Sequence, residues 1–291
     1  MSLSLQALIK LHIAVLLFGI SGLFGKLIPI DPSLIVFGRT LTGSLILLSA
    51  LLISGRLRQL SIFGRGKVDI LMGGLLALHW ITFFQSIQVS SVAIGLLAFS
   101  SYPVFVTLLE PVIYREPLRK LDILTTCGVV FGISVILPLG SMSLDSGLVQ
   151  GVAWGVFSAF LFSVLSLMNR SRVQKTDPMV LTCLQNIGAM LAALIIIPKT
   201  QVGLLVDYSL ELFALGALCT TLPLMLFLNS LRYLKTQLVS LISCLEPVYG
   251  IILAALVLSE VPSLRTVFGG LVILIAITIG TVSGRSRSGD L

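Results

Sequence analysis

Ten stretches of roughly 20 apolar residues follow one another along the chain, at about 8 to 28, 33 to 54, 69 to 88, 92 to 113, 121 to 138, 148 to 169, 178 to 198, 210 to 231, 237 to 257 and 264 to 283. That is the length a helix needs to cross the hydrocarbon core of a bilayer, where backbone polar groups must be paired within the segment. The runs are continuously apolar and do not alternate, which excludes a β-barrel. The connections are mostly short, the longest running from Gly55 to Val68. No room remains for a soluble domain, so function is expected to reside within an all-α integral membrane bundle of ten transmembrane helices.

Composition closes off the other classes. Of the 291 residues 56% are hydrophobic and 11% charged, with mean hydropathy +1.09, whereas a soluble domain carries about 25% charge. Charge confined to the gaps between apolar runs also excludes disorder and a coiled coil. The first run, preceded by Lys10, lacks a small-residue cleavage site and is read as a helix, not a signal peptide. Cys127, Cys183, Cys219 and Cys244 lie singly inside apolar runs and read as small buried hydrophobes, with no disulfide framework and no zinc or other metal site indicated.

Charge placement orients the bundle. With the amino terminus inside, the inner segments hold fifteen Lys and Arg residues, among them Arg56, Arg65, Arg115, Arg119, Arg170, Arg172 and Arg232; the outer segments hold two, Lys199 and Arg265. The bias predicts both termini in the cytoplasm of a plasma (inner) membrane protein. It also accounts for the net charge of +7 without a nucleic-acid partner.

The chain also repeats itself. A shift of 144 takes Pro103 to Pro247, Glu116 to Glu260, and Phe83-Phe84-Gln85-Ser86 onto Phe227-Leu228-Asn229-Ser230; a shift of 146 takes Asp31-Pro32 to Asp177-Pro178. A competing register aligns Leu109-Glu110-Pro111 with Leu245-Glu246-Pro247 but places Glu116 on Ile252, so 144 is preferred. Five helices per half is an odd number, so the second half is expected to enter the membrane in the opposite sense. The expected organisation is a first five-helix repeat over 1–144 and an inverted second repeat over 145–291, the symmetry by which secondary transporters build two gates around a midplane site.

Five plus five spans, the repeated Phe-x-x-Ser, the proline in the next helix, the glutamate in the loop after it and the glycines beyond make the chain resemble the drug/metabolite transporter superfamily, in its EamA-type permease branch. The resemblance covers essentially the whole chain. It implies a secondary transporter working by alternating access on a small metabolite such as an amino acid or derivative, as an exporter. The second half departs from the first at His79-Trp80, where Pro223-Leu224 stand, and in the last helix, which lacks a glycine matching Gly132.

Polar groups at membrane depth are expensive and need a reason. His79 lies mid-span and can hydrogen-bond a substrate or change charge near neutral pH; a plain interhelical hydrogen bond is its rival. Glu246 precedes Pro247, which removes a backbone donor and opens the helix locally, so its carboxylate can hold a substrate ammonium or a coupling proton. Trp80, Phe83, Phe99, Tyr102 and Trp154 can form a stacking wall for an amphipathic metabolite, or face lipid. Arg39 and its repeat counterpart Gln185 put polar spots in helices two and seven, in binding, gating or packing roles. Pro103, Pro223 and Pro247 mark hinges or exposed carbonyls. Glu110 is expected to reach water or Arg115. The family pattern makes Glu116 and Glu260 loop-shaping or gating residues, with Arg119 and Arg265 as partners. Gly147-x3-Gly151-x3-Gly155 and Gly128-x3-Gly132 have the spacing for close helix approach, within the bundle or across a dimer.

No phosphate-cradling loop is present, so no cofactor is expected and energy must come from a gradient, with protons as the coupling ion if His79 and Glu246 titrate, or facilitated diffusion if not. Small-molecule substrate and lipid are the expected partners, for a monomer or weak homodimer. An intramembrane enzyme is disfavoured: the chain holds two histidines and neither a His-Glu-x-x-His nor a Gly-x-Ser-x-Gly motif. A non-transporting receptor or scaffold gives no reason for repeated mid-helix prolines.

Overall fold

The structure is a computed structural model describing residues 3–60, 65–114, 120–136, 146–243 and 245–285; among these the chain is helical and without strands. The first half supplies α1 (Leu3–Leu27), α2 (Pro32–Ile53), α3 (Arg65–Val89), α4 (Val92–Phe99), α5 (Tyr102–Tyr114) and α6 (Lys120–Ile136). The second supplies α7 (Gly147–Arg172), α8 (Pro178–Ile196), the single turn α9 (Leu204–Asp207), α10 (Ser209–Gly216), a π-helical turn Ala217–Thr221, α11 (Leu222–Leu231), α12 (Thr236–Ser243), α13 (Glu246–Leu258) and α14 (Leu264–Arg285). Among the described residues, seven helices or runs of helix are long and apolar enough to cross a membrane: 3–27, 32–53, 66–89, 92–114, 147–172, 178–196 and 209–231. Shorter apolar helices cover 123–136, 246–258 and 264–279.

Local chemistry sets the boundaries. Asp31 and Asp177 cap α2 and α8 alike, each carboxylate accepting from the amide two residues on, at 2.8 and 3.0 Å, ahead of a proline in the first turn. Pro103 and Pro247 stand second in α5 and α13. Having no N–H, they leave the carbonyls four residues back, those of Phe99 and Ser243, without their α-helical donor, and α4 and α12 end there. The starts of α1, α3, α4, α5 and α6 recur 144 residues later as the starts of α7, α10, α12, α13 and α14, and α2 recurs as α8 after 146. The competing register finds no echo, since Glu110-Pro111 sits inside α5 whereas Glu246-Pro247 begins α13.

The two halves exchange their first helices. α7 packs along α3, α4 and α5, and α1 packs along α11 and α13, while α2 lies against α8 and α6 against α14. Glycines permit the approach. A Cβ on Gly19 would stand 3.0 Å from the Glu246 carbonyl oxygen, one on Gly155 2.6 Å from Ala98 Cβ, and one on Gly132 2.9 Å from the Gly269 carbonyl oxygen. Gly147 and Gly151 meet Val89 and Ser90. These glycines therefore serve packing inside the bundle, where van der Waals contact drives helix association in lipid.

Polar clasps fasten the bundle at two ends. At one, Lys10 donates to Asn229 Oδ1 at 2.9 Å, Arg172 grips Asp69 through Nε and Nη2 at 2.7 Å each, Arg56 meets Asp177 at 3.0 Å, and Gln174 donates to the Arg232 carbonyl. Glu110, buried rather than in water, pairs with Arg170 of the other half. It is not in the water expected for it because exchanged α7 brings Arg170 alongside α5; Arg115, the other expected partner, lies outside the described residues. At the other end Lys26 Nζ donates to the Gln88 and Ser90 carbonyls at 3.2 and 3.0 Å, satisfying the exit of α3. Cys183 and Cys219 are buried and Cys127 exposed, all as free thiols; Cys244 lies outside the described residues.

Candidate functional site

Where the exchanged helices meet, the bundle leaves a partly open cavity with about 490 Å³ of empty space, some of it continuous with the outside. Eight of its lining residues form four pairs, each 144 apart: Phe18 with Phe162, Trp80 with Leu224, Phe83 with Phe227, and Phe99 with Ser243. The other four, Ser21, Leu76, His79 and Glu246, have no lining counterpart. The wall is thus largely duplicated in position, with phenylalanine on both sides in two of the pairs, and single in its ionisable groups. Phe99 and Ser243, whose carbonyls the prolines release, are among the duplicated residues, so the helix breaks open onto the cavity.

His79 is 5% exposed and sits among aromatic rings, with Phe162 at 4.7 Å and Phe99 at 5.3 Å between centroids. Its Nδ1 lies 2.8 Å from Ser158 Oγ and 3.2 Å from the Ser158 carbonyl oxygen. The Ser158 hydroxyl proton goes to the His79 carbonyl at 2.9 Å. Both partners of Nδ1 are therefore acceptors, so Nδ1 carries the proton and Nε2 is left as the nitrogen available to a guest. Glu246 is 6% exposed in the first turn of α13, where free backbone N–H groups favour a carboxylate. No described basic side chain lies within ion-pair distance of it.

Around this wall the remaining sequence candidates fall into place unevenly. Tyr102 lies behind Phe99, stacked at 6.0 Å with rings 6° apart, and its hydroxyl is 3.2 Å from Ser166 Oγ. Trp154 does not join them. It is 40% exposed, on the outward face of α7 with Phe157 and Phe160, while Gly151, Gly155, Ser158 and Phe162 turn inward. Arg39, 1% exposed, stands behind Trp80 with its guanidinium 4.1 Å over the indole. Pro223 explains one of its anchors: lacking an N–H, it leaves the Cys219 carbonyl free, and Arg39 Nη2 donates to that oxygen at 3.1 Å while Nε donates to Thr220 Oγ1 at 2.7 Å. Gln185 bridges to Asn169 at 2.7 Å in the α7–α8 contact, away from the cavity lining. Glu260 follows Ser259, which ends α13 in the left-handed region at φ 55°; one Glu260 carboxylate oxygen is buried without a partner, and no ion pair to Arg265 forms. Glu116 and Arg119 lie outside the described residues. Phe18, Ser21, Leu76, Phe162, Leu224, Phe227 and Ser243 line the cavity without having been singled out from the sequence; applying the 144 shift to Trp80, Phe83 and Phe99 points to three of them.

The sequence matches the EamA-like transporter family twice, over residues 5–137 and 149–281. The chain belongs to the EamA-like transporter family. An uncharacterized transporter of Bacillus subtilis, YxxF, is 27% identical over 288 residues, 97% of this chain and 91% of its own. An uncharacterized transporter of Archaeoglobus fulgidus is 28% identical over 201 residues, covering 68% of this chain and 69% of its own. A protein crystal structure, 19% identical, superposes with TM-score 0.69 over 96% of this chain and 98% of that one, a likeness of fold. This EamA-like chain is therefore a multi-pass membrane transporter of a small-molecule substrate, and its family and relatives point away from an enzyme.

Proposed function

We propose that the protein is a secondary transporter that exports an amino acid or amino-acid derivative across the plasma membrane by alternating access through the aromatic cavity. The observation that carries the reading is the four-fold pairing of wall residues at one shift of 144. A site lined from equivalent positions of both halves can be opened to either side of the membrane by equivalent motions of the two halves. In this reading all ten apolar runs cross the bilayer, 1–144 and 145–291 are inverted repeats, and both termini lie in the cytoplasm. The clasps support it: Lys10 near the start of α1, Asn229 near the end of α11 and Gln174 just past α7 meet at one end through Lys10–Asn229 and Gln174–Arg232, so α1 and α7 run in opposite senses.

Within the cavity, Trp80, Phe83, Phe99, Phe162 and Phe227 hold the apolar part of the cargo, and Tyr102 backs Phe99. Glu246 takes its ammonium group, and His79 Nε2 accepts a hydrogen bond. A proton exchanged at these two groups couples export to the proton gradient. Pro103 and Pro247 allow the helix breaks to rock, and Glu116 and Glu260 shape the loops that gate.

The test is transport in proteoliposomes, after a thermal-shift panel of amino acids, nucleosides and vitamins has named a ligand, since a compound that binds the folded state raises its melting point. Glu246→Gln and His79→Ala are expected to abolish flux and leave the extracted fold intact; normal flux in both retires the site. Flux that persists unchanged when the pH gradient is collapsed removes the coupling, and reporter tags that place the two termini on opposite sides remove the inverted topology.

A further inference from the structure

Arg39 carries a full charge inside the bundle, 1% exposed, and no carboxylate among the described residues lies within ion-pair distance of it. Of its five N–H donors, two serve Thr220 and Cys219, and Nη1 has no hydrogen-bond partner. A buried, incompletely paired guanidinium is costly to keep, and an apolar residue would pack the same volume without that cost. What lies against it is Trp80, whose indole faces the guanidinium at 4.1 Å and is itself part of the cavity wall; Phe84 adds a second ring at 5.3 Å. The indole is a substitute partner, weaker than an anion, and it stands between the guanidinium and the cavity.

We propose that Arg39 is the cavity's carboxylate-binding residue and that Trp80 is its shutter: the indole moves off the guanidinium when a guest brings a carboxylate, and Nη1 then receives the partner it lacks. The proposal rests on the cavity being the transport site and goes beyond it in fixing the cargo's chemistry. Glu246 and Arg39 then stand as opposite poles, so a molecule bearing both an ammonium and a carboxylate is held at both.

The experiment uses the full-length protein carrying W154F, in which Trp80 is the single tryptophan of the two in the chain, and two probes, phenylalanine and phenylalaninamide, which share ring and ammonium and differ in the carboxylate. Phenylalanine is expected to bind at least about tenfold more tightly than the amide, the scale of a charge-assisted forked contact, and to move the Trp80 emission where the amide does not. Arg39→Gln is expected to erase that preference while leaving amide binding within about twofold. Equal affinity for the two probes, or a preference that survives in R39Q, overturns the proposal and leaves the transport site standing. Binding of neither probe overturns the amino-acid reading, and this proposal with it. If R39Q fails to fold, the preference of the W154F protein between the two probes decides.

Discussion

His79 and Ser158 hold each other in both directions, the ring donating through Nδ1 to Ser158 Oγ at 2.8 Å and the hydroxyl donating back to the His79 carbonyl at 2.9 Å. The pair joins α3 to exchanged α7 and fixes which ring nitrogen meets the cavity. Ser158→Ala removes both bonds and leaves the Ser158 carbonyl at 3.2 Å as the remaining partner. We expect a stability loss of about 1 kcal/mol, seen in thermal unfolding of the extracted protein, together with slower transport because Nε2 is aimed less firmly. Full transport in this variant would remove His79 from the binding site.

The clasps at one end differ in worth. Asp69 is 2% exposed in its side chain and is gripped at two points by Arg172, whose side chain is 15% exposed; Arg56 and Asp177 are both about a third exposed. Asp69→Asn, which replaces a nearly buried charged acceptor by a neutral amide that cannot take both Arg172 donors, is expected to cost up to about 3 kcal/mol. Arg56→Gln is expected to cost less than about 1 kcal/mol. Denaturation in mild detergent reads both, and equal losses would contradict the burial argument.

Two glycines of α1, one turn apart, predict opposite outcomes. A Cβ at Gly19 meets the Glu246 carbonyl oxygen at 3.0 Å, the Gly250 nitrogen at 3.1 Å and Tyr249 Cβ at 3.2 Å, whereas at Gly22 the nearest atoms are side-chain methyls at 3.6 Å. Gly19→Ala presses on rigid backbone and is expected to cost about 1–3 kcal/mol; because it pushes on α13 at Glu246, it should also slow transport. Gly22→Ala fits, and is expected to leave stability unchanged or slightly raised through helix propensity. Melting temperatures of the two variants side by side check the contrast.

Ser259 closes α13 at φ 55° and ψ 25°, a conformation that costs a residue with a side chain about 1–2 kcal/mol. Ser259→Gly is expected to raise stability by about 0.5–1 kcal/mol after glycine's own entropy loss. A lower melting temperature in this variant would mean that the serine hydroxyl matters more than the backbone.

Much of the architecture was readable because lipid imposes long apolar runs and because Asp-Pro pairs and prolines recur at fixed offsets. The break at Ser100-Ser101 was announced by Pro103, but the helix stops before the proline rather than at it, since the missing donor belongs to the carbonyl at Phe99. His79, Trp80, Phe83, Phe99 and Glu246 stood out as polar or aromatic anomalies, and all five line the cavity. Phe18, Leu76 and Leu224 did not, because an apolar side chain facing a cavity reads the same as one facing lipid. Trp154 shows the reverse: its composition attracted attention, while its phase, one residue before inward-facing Gly155, puts it outside. The pairing of Glu110 with Arg170 was illegible for a topological reason, since nothing local announces that α7 crosses to the other half.

The helix exchange bears on how the protein is made. Asn229 is synthesised 219 residues after Lys10, and Ser230 223 residues after Ala7, to whose carbonyl it donates. α1 thus lacks its main packing partners, α11 and α13, until they are made, and holds meanwhile only its smaller contacts with α3 and α4. A chain truncated before α11 therefore lacks the surface along which α1 packs.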